Sequence, residues 1–247
     1  FMLMDVNTAQ YIDVHCHLDD EKFADDLDEV VGRAQKQNTL IIHSGINPPT
    51  NRKALELSEM YDIYCSFGIY PIDAIIKDFP HATDDYPRDI PAFDIDEELQ
   101  WIEEHKDKCV AIGEVGLEFK AIEATPEIRD AQIANFKKII LLAQKLDLPL
   151  VIHSRGGELE CTEIMEEMGC KRVLMHCFGG KKGLIKRGVE NGWFFSVPPV
   201  IMRLQHFENL VKLVPIEQLV TETDAPYLSP VYACLLYTSD AADEKYR

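Results

Sequence analysis

The sequence has no apolar run of about 18 residues, so nothing in it reads as a membrane span. No basic-then-apolar leader precedes the first strand-like run, and the opening FMLM is too short to be one. The seven cysteines (positions 16, 65, 109, 161, 170, 177 and 234) contain no CxxC pair. Odd in number and scattered, they read as free thiols in a reducing compartment, and a cytoplasmic chain is expected. Several lie in strand-like runs, where cysteine is usually a small buried hydrophobe, which argues against a cysteine nucleophile. No GxGxxG loop follows the first strand-like run, so the signature of a dinucleotide-binding open sheet is missing. Basic residues are also few. There are 25 Lys and Arg against 43 Asp and Glu, a formal net charge of −18. Such a chain repels long polyanions on average, so any work on phosphate esters must rely on metal ions and a local basic patch.

What is present is a repeating unit. A short β-branched or aromatic run is followed by a turn and then by a longer segment of helical period. Eight such runs occur: 11–18, 39–45, 63–70, 109–117, 148–154, 172–178, 193–198 and 219–225. Between them lie amphipathic helices. In the first, Phe23, Leu27, Val30, Val31 and Ala34 share one face. The fourth opens with Thr125 as N-cap and Pro126 at the first helical position, then turns Ile133, Phe136, Ile140 and Ala143 inward. Alternation of this kind implies parallel pairing with right-handed crossovers. Eight units in a chain of 247 residues have the dimensions of an α/β fold of the (β/α)8 TIM barrel type. Residues 71–96, with four prolines and many aspartates, interrupt the rhythm after the third strand. They read as an ordered loop on the C-terminal rim, either a lid or a solvated insertion.

In a parallel barrel, reactive groups come from the C-terminal ends of strands. The stretch YIDVHCHLDD places His15 and His17 two residues apart, hence on one face of a strand. Further polar residues intrude at the ends of other apolar runs: Glu114, His153, His176 and Asp224. A lone histidine in such a run is usually a satisfied core residue. Six polar intrusions at equivalent strand ends are another matter, because each would cost kilocalories if buried without a partner. Imidazole and carboxylate are ligands for divalent metals, and six are too many for one open catalytic ion and about right for two. His43, at the end of the second run, reads as structural.

HxH on the first strand, GEVGL, HSR, HCFGG and TDAPYL, in this order and spacing, resemble the TatD family of metal-dependent hydrolases, within the amidohydrolase superfamily of barrels. The resemblance covers residues 11 to about 229. It implies one metal held by His15, His17 and Asp224, with Glu114 bridging to a second held by His153 and His176. It also implies hydrolysis of phosphodiester bonds in DNA, with some relatives acting on aminoacyl-tRNA esters. Two divalent ions (zinc, magnesium or manganese) roughly 3.5–4 Å apart would share a water acidified towards pKa ~7, giving a hydroxide nucleophile at neutral pH. Asp224 and Glu114 are the expected catalytic carboxylates, Asp224 as proton acceptor. Arg155, Tyr70, Lys181 and Lys182 are candidates for substrate contact, Arg155 as a bidentate phosphate clamp and the lysines beside a glycine-rich turn. DNA or short oligonucleotide ends are the expected partners, with no membrane. The rival readings are an amide, ester or lactone hydrolase using the same metals and a metal-bound inert barrel.

The sequence departs from the family in three places. Relatives carry a GxHPH stretch after the third strand where this chain has GIYPIDA, so Tyr70 stands in place of a histidine. Glu118 replaces the usual aspartate after GxGL. Finally, TDAPYL is followed by VYACLLYTSDAADEKYR where relatives have an Arg- and Asn-bearing loop and closing helices. The expected domain is therefore 1–230, a barrel without its native C-terminal helix, with 231–247 a non-family tail of truncated or foreign sequence.

Overall fold

A computed structural model describes residues 6–230, apart from 87 and 89. Eight parallel strands pair in sequence order: β1 (Tyr11–Cys16), β2 (Thr39–Ser44), β3 (Tyr64–Phe67), β4 (Ala111–Gly116), β5 (Leu150–His153), β6 (Val173–Met175), β7 (Phe194–Val197) and β8 (Leu219–Thr221). Among the described residues the α-helices are α1 (Leu27–Lys36), α2 (Pro48–Tyr61), α3 (Ile95–Glu104), α4 (Pro126–Leu146), α5 (Glu158–Glu167), α6 (Lys182–Glu190) and α7 (Gln205–Leu213). This is the TIM barrel expected from the repeat. Each strand is shorter than its apolar run, and in β1, β3, β6 and β8 it is chiefly the last residues of the run that leave the ladder.

The helices form for local reasons. Thr125 accepts a hydrogen bond from the Ile128 N–H and Pro126 opens α4, which ends at Asp147 in the left-handed region (φ 52°). Asn47 and Thr50 form a reciprocal capping box at the start of α2. The first predicted apolar face is seen: Phe23, Leu27, Val30 and Ala34 pack with buried Val31 against Cys16, Leu18 and Ile41. The main core joins Phe67, Ile112, Phe136, Ile140, Ile152, Trp193 and Phe195 between strands and helices. Fully burying a side chain such as Phe136 contributes roughly 1.5–3 kcal/mol.

Two features of the sheet prepare the mouth. Parallel register slips between Asp13 and Cys16 on β1, and between Ile112 and Val115 on β4. Such irregularities re-aim side chains beside functional sites, and these two flank His15 and Glu114. Gly68 is needed for the close approach of β3 to β4, since a Cβ there would lie 2.2 Å from the Glu114 backbone nitrogen.

The ring closes between β8 and β1. The Asp224 N–H donates to His15 O at 2.9 Å, and the His17 N–H donates to Ala225 O at 2.7 Å. Thr221 Oγ1 adds a hydrogen bond to Ile12 O. Half-buried Asp13 staples the same seam, accepting from Thr223 N–H at 2.9 Å, Thr223 Oγ1 at 2.6 Å and His15 N–H at 3.2 Å.

The 71–96 segment packs onto the rim. Buried Asp73 pairs with Arg88 at 2.5 Å, Arg88 also pairs with Asp84 at 2.7 Å, and Ile72, Ile75 and Ala82 are buried. Residues 231–247, read from the sequence as a tail, lie outside the described residues. Among the described residues, no helix is long and apolar enough to cross a membrane. The six described cysteines are all free. Burial raises the thiols of Cys16 and Cys161 well above the usual cysteine value, which removes their thiolate chemistry.

Candidate metal centre

His15 and His17 project from the end of β1 to the same side. Their Nε2 atoms stand 3.2 Å apart, and both face Asp224 Oδ1, at 3.6 and 3.4 Å. Asp224 reaches them from a backbone in the left-handed region (φ 55°), a conformation that costs a non-glycine residue roughly 1–3 kcal/mol. Ser44, at the end of β2, holds both rings from behind. Its carbonyl lies 3.2 Å from His17 Nδ1 and its hydroxyl 3.0 Å from His15 Nδ1. A carbonyl only accepts, so Nδ1 of His17 carries the proton and the Nε2 lone pair of the neutral ring points to the centre.

Glu114 sits among four imidazoles. Its Oε2 is 3.3 Å from His15 Nε2 and 3.6 Å from His17 Nε2, while its Oε1 is 2.7 Å from His153 Nδ1 and 3.9 Å from His176 Nε2. His176 is oriented by Glu222, whose Oε2 accepts a hydrogen bond from Nδ1–H at 2.6 Å. Glu222 is itself fixed by the Cys177 N–H at 3.1 Å. On the far side, His153 Nε2 meets Glu118 Oε2 at 2.8 Å. Glu118 also accepts from Tyr70 Oη at 3.2 Å and from the N–H groups of Lys120 and Ala121 at 2.8 and 2.9 Å.

This donor set fits divalent cations. Ligand atoms around a tetrahedral ion at about 2.0–2.1 Å lie roughly 3.4 Å from one another, close to the 3.2, 3.6 and 3.4 Å separations within His15, His17 and Asp224. A second grouping, His15, Glu114 and His176, also keeps its ligand atoms within 4.8 Å of one another. Without ions, protons must balance the carboxylates. Burial opposes charge on His176, but the Glu222 carboxylate overcomes it and lifts the imidazole to about 10. Burial likewise opposes charge on His17, and Asp224 raises it to about 9. His15, by contrast, is driven down by burial and by the neighbouring His176. Cations and protons thus compete for the same nitrogens.

All six residues predicted to hold metal therefore converge on one place. His153 differs from the other three histidines in turning its Nδ1, not its Nε2, towards Glu114. Of the four substrate candidates, two reach the edge of the cluster. Tyr70 is buried and spends its hydroxyl on Glu118; burial raises the phenol well above its usual value. Arg155 brings its Nε to 3.8 Å from Glu118 Oε2 and its Nη1 to 3.5 Å from Tyr86 Oη. Lys181 and Lys182 are exposed at the start of α6 and, among the described residues, make no ion pair with the cluster. His43 is structural: it is fully buried, its Nδ1 accepts from the Leu18 N–H at 3.1 Å, and burial pushes it down to about 3.

The sequence reading missed Ser44 and Glu222. Glu222 had a signal in the sequence, since it precedes Asp224 by two residues in TETDAP, the period of a strand. Its partner, though, is 46 residues upstream. A carboxylate that orients a ligating imidazole typically governs 10–100-fold in metal affinity. Glu222→Gln should therefore weaken metal binding by about that factor with little loss of folded protein, as titration of the metal-stripped protein with zinc would measure. Unchanged affinity would remove Glu222 from the site.

A parallel barrel with imidazoles and carboxylates converging at the C-terminal mouth defines the class of metal-dependent barrel hydrolases. The family model for TatD related DNase matches residues 12–242. The chain is 34% identical over 227 residues to a deoxyribonuclease of Homo sapiens, TATDN3, covering 89% of this chain and 79% of that protein. It is 32% identical over 223 residues to an uncharacterized metal-dependent hydrolase of Methanocaldococcus jannaschii, covering 90% and 81%. Among solved structures, a hydrolase TatD family protein of Entamoeba histolytica superposes with a TM-score of 0.74 at 25% identity, covering 94% of this chain and 77% of that one. The chain belongs to the TatD family.

Proposed function

We propose that this TatD-family enzyme hydrolyses phosphodiester bonds in nucleic acid, acting at strand ends and using two divalent cations, zinc, magnesium or manganese. The observation that carries the reading is Glu114, a buried carboxylate within 3.9 Å of four imidazole nitrogens and adjoining the His15–His17–Asp224 trio. In this reading His15, His17 and Asp224 would hold one ion, His153 and His176 would complete a second position, and Glu114 would serve both. Bound cations supply an activated water at neutral pH and polarise the phosphoryl oxygen.

The chain's own groups do the rest. Asp224 Oδ1, 13% exposed at its side chain and facing both β1 histidines, would take the proton that the attacking water gives up. Ser44 and Glu222 fix ring tautomers so that Nε2 points inward. Arg155, half-buried at the rim, would meet a phosphate oxygen, while Tyr70 keeps Glu118 in position. A cytoplasmic setting belongs to the same reading, supported by the six described cysteines, all of them free.

The test is a substrate panel. The metal-loaded protein should cleave short oligonucleotides and leave simple amides, lactones and carboxylic esters largely untouched. Faster turnover of an ester or lactone would replace this reading with the rival hydrolase. Full metal content without turnover on any member would leave an inert metal-bound barrel.

A further inference from the structure

Two tyrosines stand at the mouth of the barrel and take no part in the chemistry described above. Tyr86 comes from the rim segment after β3 and Tyr227 from the turn after β8. Their rings meet edge to face with centroids 5.4 Å apart, and the Tyr227 ring lies 6.0 Å from that of His17. Both are held by their polar tips. Tyr227 Oη donates to Asp20 Oδ2 at 2.5 Å, and Tyr86 Oη accepts from Arg155 Nη1 at 3.5 Å. Both residues are half-buried. Each has a cation beside it: Lys22 Nζ lies 4.9 Å from the Tyr227 ring centroid, and Arg155 reaches the Tyr86 hydroxyl. The segment carrying Tyr86 is anchored by Arg88, bound to buried Asp73 at 2.5 Å.

A hydrolytic centre needs only the phosphate and its metals. Paired aromatic rings at its entrance, each flanked by a cation, suit a flat π-faced group joined to an anion. An unpaired nucleotide is such a group, whereas a paired base keeps its faces inside the stack. The charge balance points the same way. At a net charge of −18 the protein gathers no polyanion by long-range attraction, so affinity must come from short-range contacts. Stacking of one base on an aromatic ring is worth roughly 5- to 100-fold in affinity.

We propose that Tyr86 and Tyr227 form a base-stacking platform that selects an unpaired nucleotide beside the scissile phosphodiester, with Lys22 and Arg155 meeting its flanking phosphates. The platform rests on the nucleic-acid reading above and adds to it a contact with the base itself.

The experiment compares kcat/KM on a short single-stranded oligonucleotide and on the same strand with its terminal nucleotides abasic, which keeps backbone and charge. The wild-type protein should prefer the intact strand by roughly 5- to 100-fold. Tyr86→Ala should lose most of that preference, chiefly through KM, and Tyr86→Phe should keep it because the ring remains. Should Tyr86→Ala fail to fold, Tyr86→Leu, which retains apolar bulk, serves instead. Equal wild-type rates on the two strands, an equal loss on both in Tyr86→Ala, or a Tyr86→Phe variant as impaired as Tyr86→Ala would each overturn the platform alone. Metal-loaded wild-type protein that cleaves neither strand would sink the nucleic-acid reading, and the platform with it.

Discussion

Glu114→Gln should lower oligonucleotide hydrolysis by at least about 10³-fold, equivalent to roughly 4 kcal/mol of barrier. The reason lies in what one oxygen pair touches. Oε2 faces His15 and His17, and Oε1 faces His153 and His176, all within 3.9 Å. The histidine contacts hold the Glu114 carboxyl well below the usual carboxylate range despite its burial. It is therefore an anion in the centre of the site. An amide of the same shape keeps the packing but loses the charge that balances two cations. Elemental analysis should find less than the full complement of metal in the variant. A Glu114→Gln protein with normal turnover and normal metal content would refute the bridging role.

Removing metal is the second large effect. Chelation should abolish hydrolysis and lower the melting temperature, and zinc or manganese should restore both. The sign follows from linkage. A ligand that binds only the folded state at about 100 times its dissociation constant adds roughly 2.7 kcal/mol. In a chain of this size each kcal/mol moves the midpoint by about 2–4 °C. A fall of roughly 5–10 °C is expected by calorimetry. Local structure supports the direction. His15 and His176 lie with ring centroids 3.8 Å apart, and two carboxylates, Glu114 and Asp224, point into the same space, so the cluster gains from a bound cation. An unchanged melting curve together with unchanged activity after chelation would mean that the cluster holds no metal.

Much of this was legible in the sequence because each feature is local. The eight β-branched runs and the helical faces between them dictate a parallel barrel. His15, His17, Glu114, His153, His176 and Asp224 stood out because a polar residue at the end of an apolar run conflicts with its surroundings. What could not be read is what depends on two distant segments meeting. Ser44 looks like any strand-end serine until His15 and His17 are laid over it. Glu222 acquires its role only from His176, and Tyr70 proves to be a partner of Glu118 and not an open donor. Nor does composition reveal that an aspartate-rich insertion buries Asp73 against Arg88 and lays Tyr86 beside Tyr227. Lys181 and Lys182 show the converse, residues plausible by position whose side chains stay in solvent on α6.

The seam between the first and last strands is tied by the ligand-bearing residues themselves, Asp224 to His15 and His17 to Ala225. Any fluctuation that parts this edge of the sheet also separates the first trio of donors. An ion seated there therefore acts as a rivet for the whole cylinder. Exchange of the His17 and Asp224 amides with solvent deuterium then becomes a gauge of occupancy that needs no substrate.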